Sequence, residues 1–271
     1  MTSTAFDESE RRKWAGKAAA YASGFARLCA HPIPLLLDAA GVREGTRLLD
    51  VGTGTGTVAL AAHARGAEVT AVDAEPSMVA LTAKSVPATA VHLAALPDLP
   101  FESGRFDAVT ANFVLNHVGD PRAALSELRR VTRPGGRLAL TIWAAPAAAG
   151  QTLLPRAVRA AGATPPPDLP SLPPEAEFPR TEKGLTTLLR STNLPDATCT
   201  TLHWDHETTL DEWWSGPAAG VATIGQTITS QPPEIRAKIK SHYKSLSTPH
   251  LTPPQTLHLP HKALLAQATN P

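Results

Sequence analysis

The segment LLDVGTGTGTVAL, residues 48–60, constrains this chain more than any other. A short apolar run at 47–51 reads as a strand that enters three glycines, Gly52, Gly54 and Gly56, and a helical pattern begins at once over 57–65. Glycines are needed where the backbone must turn sharply and leave no Cβ in the path of a ligand. The N–H groups bared at the helix start then offer donors to an anionic group. The strand-like EVTAVD follows at 68–73 and ends on Asp73, 21 residues after Gly52, where a carboxylate accepts both ribose hydroxyls in nucleotide-binding sheets. The alternation then continues with a helix at 76–84, strands at 90–93 and 106–112 (FDAVTAN), and a helix at 121–131 that opens on Pro121. A turn at 133–136 (RPGG) leads to the strand RLALTIW at 137–143. Alternating helices and apolar strands predict a parallel sheet covered on both faces, with right-handed crossovers.

A nicotinamide enzyme would use such a turn, but its GxGxxG needs glycine at 57, where this chain has Thr57. The observed GxGxG, with Asp50 two residues ahead of it, resembles motif I of the class I S-adenosylmethionine-dependent methyltransferases. The resemblance extends through PFESGRFDAV, LNHVGDP and RPGGRL, all within 99–143, which are similar to the ubiquinone/menaquinone-biosynthesis-like branch of small-molecule methyltransferases. It covers about half the chain well, with weaker echoes at 198–206 and 257–266.

That resemblance implies a Rossmann-like α/β fold with a seven-stranded, mostly parallel sheet in the order 3-2-1-4-5-7-6 and an antiparallel last strand. It implies an N-terminal helical cap (1–45), a cofactor-binding core (46–143) and the remaining strands with lid insertions (144–271), all one structural domain. The implied cofactor is S-adenosylmethionine, leaving as S-adenosylhomocysteine, with no metal. By the same resemblance Gly52, Gly54 and Gly56 carry the backbone under the methionine moiety, and Asp50 lies near its amino group. Asp73 holds the ribose, Ala74 and Met78 flank the adenine, and Asn112 presents its backbone to the amino acid end. One departure concerns the adenine edge. The family often has Gly-Asp ahead of its LPF stretch, whereas this chain has Ala94 and Ala95, followed by Leu96. Either Asp98 or a backbone carbonyl then replaces the missing acceptor, or packing holds the adenine.

Several residues have both a chemical and a structural reading. His117 follows the fourth strand, so its imidazole is a candidate general base, or else it packs and orients the loop. Tyr21, on the N-terminal helices, is a candidate for contact with the cofactor or the transferred methyl, or is simple aromatic packing. Trp14 is a lid or core residue. Trp143, at the end of the fifth strand, is a wall for an aromatic or cationic acceptor, or core. Trp213 and Trp214 open a helix in the C-terminal insertion and are candidate acceptor contacts. His203 and His206 point to opposite faces of one strand and are read as structural or surface, as are His242, His250, His258 and His261. The acids Asp205, Glu207, Asp211 and Glu212 are read as charge at a helix start, with contact to a substrate ammonium as the lesser reading.

Composition narrows the partners. Lys+Arg 25 against Asp+Glu 24 gives a net charge of +1, with no basic excess of the kind a nucleic-acid groove shows. Arg129, Arg130, Arg133 and Arg137 fall at a helix end and the turn after it, where cations complement the helix dipole. No apolar run reaches the roughly 18 residues of a membrane span, and the polar N-terminus lacks a leader's apolar stretch. Two cysteines, Cys29 and Cys199, make neither a disulfide framework nor a metal site, which fits a reducing cytoplasm. Of 26 prolines, eight lie in 1–143 and eighteen in 144–271, where PPP at 165–167 and PP at 173–174 forbid a long helix. Beyond them the sequence predicts a helix at 182–191, a strand at 198–206, helices from 211 and over 233–245, and a strand within 257–266.

The expected function is methyl transfer to an oxygen, nitrogen or carbon nucleophile of a small, largely apolar metabolite, in specialised metabolism, by a cytoplasmic monomer or homodimer without nucleic-acid or membrane partners. The alternatives are a methyltransferase acting on a peptide or modified peptide, and a non-catalytic scaffold that binds S-adenosylmethionine.

Overall fold

The computed structural model describes residues 4–167, 169–253 and 255–271. Four short helices come first: α1 (Ala5–Trp14), α2 (Ala18–Ala22), α3 (Phe25–Ala30) and α4 (Ile33–Ala39). The alternating segment follows as β1 (Arg47–Val51), α5 (Thr57–His63), β2 (Glu68–Asp73), α6 (Pro76–Ser85), β3 (Ala90–Leu93), β4 (Phe106–Asn112), α7 (Pro121–Val131) and β5 (Thr132–Trp143). The C-terminal part adds α8 (Ala149–Ala160), α9 (Glu182–Ser191), β6 (Thr198–Thr208), α10 (Leu210–Ala218), α11 (Ala222–Thr229), α12 (Pro233–Ser247), a two-residue β7 (Leu251–Thr252) and β8 (Thr256–Thr269).

The sheet runs β3-β2-β1-β4-β5-β8-β6, with β7 paired to β8 outside that path. This is the expected order once the two-residue strand is counted, because the long final strand becomes the eighth. β1 through β5 pair in parallel, while β8 is antiparallel to both β5 and β6. The chain order therefore reverses between β1 and β4, which opens a crevice at their carboxyl ends.

Each face of the sheet has its own apolar cover. Leu36 and Leu37 of α4 and Val58, Ala59 and Ala62 of α5 bury one face against β1 and β2. Leu125, Leu128 and Val131 of α7, with Leu185, Leu188 and Leu189 of α9, bury the other. The helix α7 forms where its cap dictates: the Asp120 carboxylate accepts the N–H groups of Arg122 (3.0 Å) and Ala123 (2.9 Å), and Pro121 needs no partner at the first turn. Removing such a cap costs about 1 kcal/mol.

One local expectation is revised. Residues 133–136 are not a turn ahead of the strand but the bulged start of β5: Thr132 lies opposite Phe106 and Arg137 opposite Ala108. The extra residues are tied down at the far edge, where Gly135 N–H donates to the Asn270 carbonyl (2.8 Å). The helix α8 stops ahead of the proline run at 165–167; it forms despite Pro155 inside it and buries Leu153, Leu154, Ala157 and Val158. There burial outweighs the hydrogen bond that proline forfeits.

The feature that builds the site lies at the end of β5. That strand stops at Trp143 opposite Ala263, yet β8 extends back to Thr256 and β6 on to Thr208. The β6–β8 pair thus projects past the carboxyl end of β5 as a two-stranded overhang. Its inner face carries Leu257, Leu259, His261 and Ala263 at alternating positions, all buried. Helices α8, α10 and α12 pack there around Leu153, Trp213 and Tyr243 in a separate apolar cluster.

Candidate functional site

The crevice beyond β1 and β4 opens into a cavity of about 490 Å³, within the range of small-molecule sites. At one end lie Gly52, Gly54, Asp73, Ala74, Glu75, Met78, Ala95 and Leu96; at the other lie Phe25, Trp143, Leu154, Trp213 and His261. Tyr21, Asn112, Trp14 and His117 also line it.

The glycine turn is built as its sequence requires. Gly52 has φ 65°, and a Cβ on it would stand 2.4 Å from Val114 Cγ2. Gly54 N–H donates to Asp73 Oδ2 (2.8 Å), and Glu75 N–H donates to Asp73 Oδ1 (3.0 Å). The two donors hold Asp73 across the ends of β1 and β2 with further lone pairs available on each oxygen. Burial raises the Asp73 carboxyl above its ordinary value, against those backbone hydrogen bonds. Asp50 is more deeply set and does not line the cavity. It accepts from Thr110 Oγ1 (3.1 Å), and burial, outweighing the hydrogen bonds of Thr53 and Thr110, pushes its pKa up to about 7.

Gly56 is also set back. Its φ of 81° starts α5, and a Cβ there would press on Thr82 and Val86 rather than on a ligand. Expected as a ligand contact, it instead shapes the turn. Trp214 departs from expectation in the same way, stacking on Tyr243 (centroids 5.5 Å, 25° between planes) beneath Lys240 and away from the cavity. Successive helix residues point about 100° apart, so only Trp213 of the pair faces inward, edge-on to Phe25 at 5.3 Å. Asp98 does not line the cavity either. The adenine-edge positions present Ala94, Ala95 and Leu96, with Ala94 N–H bonded to the Asp73 carbonyl (3.0 Å).

Helix α1 closes the crevice from above and supplies a residue that the sequence reading missed. Glu10 Oε2 lies 2.9 Å from Nδ1 of His117, and Lys13 pairs with the same carboxylate. Burial alone would raise Glu10, but the hydrogen bonds and charges of His117 and Lys13 hold it below the usual range. The His117 ring also meets Trp14 edge-on at 5.3 Å. Asp7 Oδ1 accepts the Gly119 N–H (2.6 Å), and Glu75 Oε1 accepts that of Gly16 (3.1 Å), so α1 is fastened on both sides of the crevice. The capping pair Thr4 and Asp7 gives a signal for where α1 starts, but nothing in the sequence pairs Glu10 with a histidine 107 residues away.

Burial, then Cys29 and Asp73, raise the Tyr21 phenol well above its ordinary value, so it is a neutral group. Asn112 uses its side chain to tie the cap to the sheet: Nδ2 donates to the Cys29 carbonyl (2.8 Å), and Oδ1 accepts from Thr141 (2.6 Å). The next residue, Phe113, has φ 59° and stacks on Trp143 at 4.1 Å. A bulky residue in that region costs on the order of 1–3 kcal/mol and tends to mark a functional site.

The histidines of β6 and β8 are the second omission. His203 is exposed, whereas His206 and His261 are buried on the opposite face. His206 Nδ1 lies 3.3 Å from His31 Nε2, and His261 reaches the cavity. Period-two alternation through LHLPHKA, with Leu257, Leu259 and Ala263 as its apolar partners, was the available signal.

A family profile described as a methyltransferase domain matches residues 49–140. Those residues carry a methyltransferase domain, similar in sequence to methyltransferases of menaquinone biosynthesis. Among relatives, the demethylmenaquinone methyltransferase of Beutenbergia cavernae is 43% identical over 110 residues, 41% of this chain and 46% of that one. The chain thus spans about half the length of the curated relatives it matches. In architecture it is similar to the YcgJ protein of Bacillus subtilis (TM-score 0.56, 22% identity, 88% of this chain and 97% of that one). The SpnF cyclase is similar too (TM-score 0.54, 19% identity, 89% and 80%). These likenesses extend the methyltransferase fold over nearly the whole chain, well beyond the matched domain.

Proposed function

We propose that the chain binds S-adenosylmethionine across Gly52, Gly54 and Asp73 and transfers its methyl group to a small, largely apolar acceptor held between Trp143, Trp213 and His261. One observation carries this reading: a single cavity joins a glycine-and-acid end, on the loops after β1 and β2, to an aromatic end beside the β6–β8 overhang.

The residues present suit the cofactor. Asp73 offers two fixed oxygens to a diol, Gly52 and Gly54 bring bare backbone to the cavity wall, and Met78 and Leu96 give apolar walls to a flat ring. Backbone groups of 94–96, rather than an acid, would face the adenine edge. When bound, the cofactor supplies an electrophilic methyl on a sulfonium. For this chain's own residues, the task is mainly to align donor and acceptor for an in-line displacement, which is where positioning contributes most. A protonated nucleophile needs a base as well. With Glu10 ionised, Nδ1 of His117 donates to the carboxylate, which leaves the Nε2 lone pair to take the proton and stabilises the imidazolium that results.

The test measures S-adenosylmethionine binding by calorimetry and screens metabolites for a mass gain of one methyl. On a hydroxyl acceptor, His117→Ala should lower turnover by roughly 10²–10⁴-fold while leaving cofactor affinity within about twofold. Full activity in that variant would remove His117 as the base. Cofactor binding without methylation of any acceptor would leave the scaffold reading in its place.

A further inference from the structure

His117 is not the only histidine in the cavity, and the second one is built for different chemistry. On β8, His261 is 2% exposed, and its Nδ1 lies 2.7 Å from the Leu259 carbonyl. A carbonyl can only accept, so Nδ1 carries the proton and Nε2 is left with a lone pair. Among the described residues no protein group hydrogen-bonds to Nε2. The ring is surrounded by aromatics: Trp204 is stacked at 6.0 Å, Trp143 lies at 6.1 Å and Trp213 meets it edge-on at 5.5 Å.

The ring's position is fixed from behind. A Cβ on Gly150, at the start of α8, would stand 2.8 Å from His261 Cε1 and 2.7 Å from the Pro260 carbonyl, so only glycine lets that helix seat there. Gln151 Oε1 accepts from both Ala148 N–H (2.9 Å) and Lys262 N–H (3.2 Å), pinning α8 to the strand beside His261.

We propose that His261 is a specificity-determining residue of the acceptor site: its Nε2 is a hydrogen-bond acceptor that selects an uncharged, ring-bearing acceptor molecule presenting an O–H or N–H donor. The proposal rests on the function proposed above. Burial drives the His261 imidazole down to about 4; the Leu259 hydrogen bond and Asp205 oppose that shift, and His31 adds to it. His206, which faces the same ring from β6, is likewise pushed down to about 4. A conjugate acid that strong makes a poor general base, because efficient bases titrate near the working pH. It also favours the unprotonated nitrogen at neutral pH. The two histidines therefore divide the work: His117, backed by a carboxylate, takes a proton, and His261, backed by a carbonyl, receives a hydrogen bond. An acceptor lacking the donor would bury Nε2 with no partner, which is the arrangement that lets a site reject close analogues.

The experiment titrates 4-propylphenol and its methyl ether, 4-propylanisole, into the chain saturated with S-adenosylhomocysteine, by ligand-observed NMR. Wild type should hold the phenol roughly 10- to 100-fold more tightly than the ether. His261→Phe keeps a flat ring but no acceptor and should bind the two equally. His261→Gln, whose Oε1 restores an acceptor, should recover part of the preference. A wild type that binds neither probe, or both alike, overturns the proposal, as does an undiminished preference in His261→Phe. Cofactor binding is scored separately by calorimetry: its loss defeats the proposed function, whereas loss of discrimination with cofactor binding intact defeats only the role of His261.

Discussion

The two ends of the cavity are made of different materials. The end proposed for the cofactor is led by backbone: glycines in left-handed conformations and strand-end N–H groups that fix Asp73, between β1 and α6. The acceptor end is side chains, with Phe25, Trp143, Trp213 and His261 drawn from α3, β5, α10 and β8. Backbone recognition tolerates little change, because no side chain can replace an N–H group or remove a Cβ clash. A wall of side chains can be rebuilt by substitution without disturbing the sheet beneath. On the proposed function, one fold can therefore keep its cofactor while changing what it methylates.

That contrast can be broken. Gly52→Ala should have the largest effect, since the substituted residue must hold φ 65° and displace Val114. Strain and overlap of about 1–3 kcal/mol each predict a loss of roughly 100-fold in S-adenosylmethionine affinity, and calorimetry showing unchanged binding would end the account of the turn. Asp73→Ala follows, with a loss of about 10- to 100-fold in cofactor affinity and no change in affinity for the acceptor. Trp213→Ala should do the reverse, weakening acceptor binding about tenfold while destabilising the fold by about 3 kcal/mol. If it weakened the cofactor as much as Asp73→Ala does, the division into two ends would collapse.

The smallest effect sharpens the comparison rather than testing it. Asp50 is protonated more readily when folded than when unfolded, because burial raises its pKa to about 7. Its stabilising contribution is therefore complete below about pH 4 and lost as pH rises through 7. Asp50→Asn removes that dependence. Thermal melts should show the variant gaining on wild type between pH 4 and 7, by about 1–3 kcal/mol at the upper end, then levelling off. A constant difference across that range would mean that Asp50 is ionised in the fold throughout.

Most of the sheet was readable from the sequence because it follows local rules. Apolar runs of four to seven residues, glycines after β1, proline at the start of α7 and the acid that ends β2 each report on their own neighbourhood. Asp73, Met78 and Tyr21 reached the cavity for the same reason, since each lies close to a recognisable turn or helix. What the sequence hid was long-range pairing. Glu10 meets His117 only once α1 lies across the crevice, and His261 meets the cavity only because β8 outruns β5. Gly56 and Trp214 erred the other way: each belongs to a segment that touches the site, but turn geometry and helical rotation point them elsewhere.

The overhang has one more consequence. Thr208 and Leu257 are paired neighbours on β6 and β8, so everything between them leaves and returns at adjacent points of one hairpin. The helices α10, α11 and α12 are thus an excursion grown from a single position, with both ends anchored on the rigid pair that carries His261. Insertions with close, fixed ends are the kind that proteins tolerate best. The covering over the acceptor can be lengthened, shortened or exchanged as a cassette while the strand register, and with it the imidazole, stays where it is.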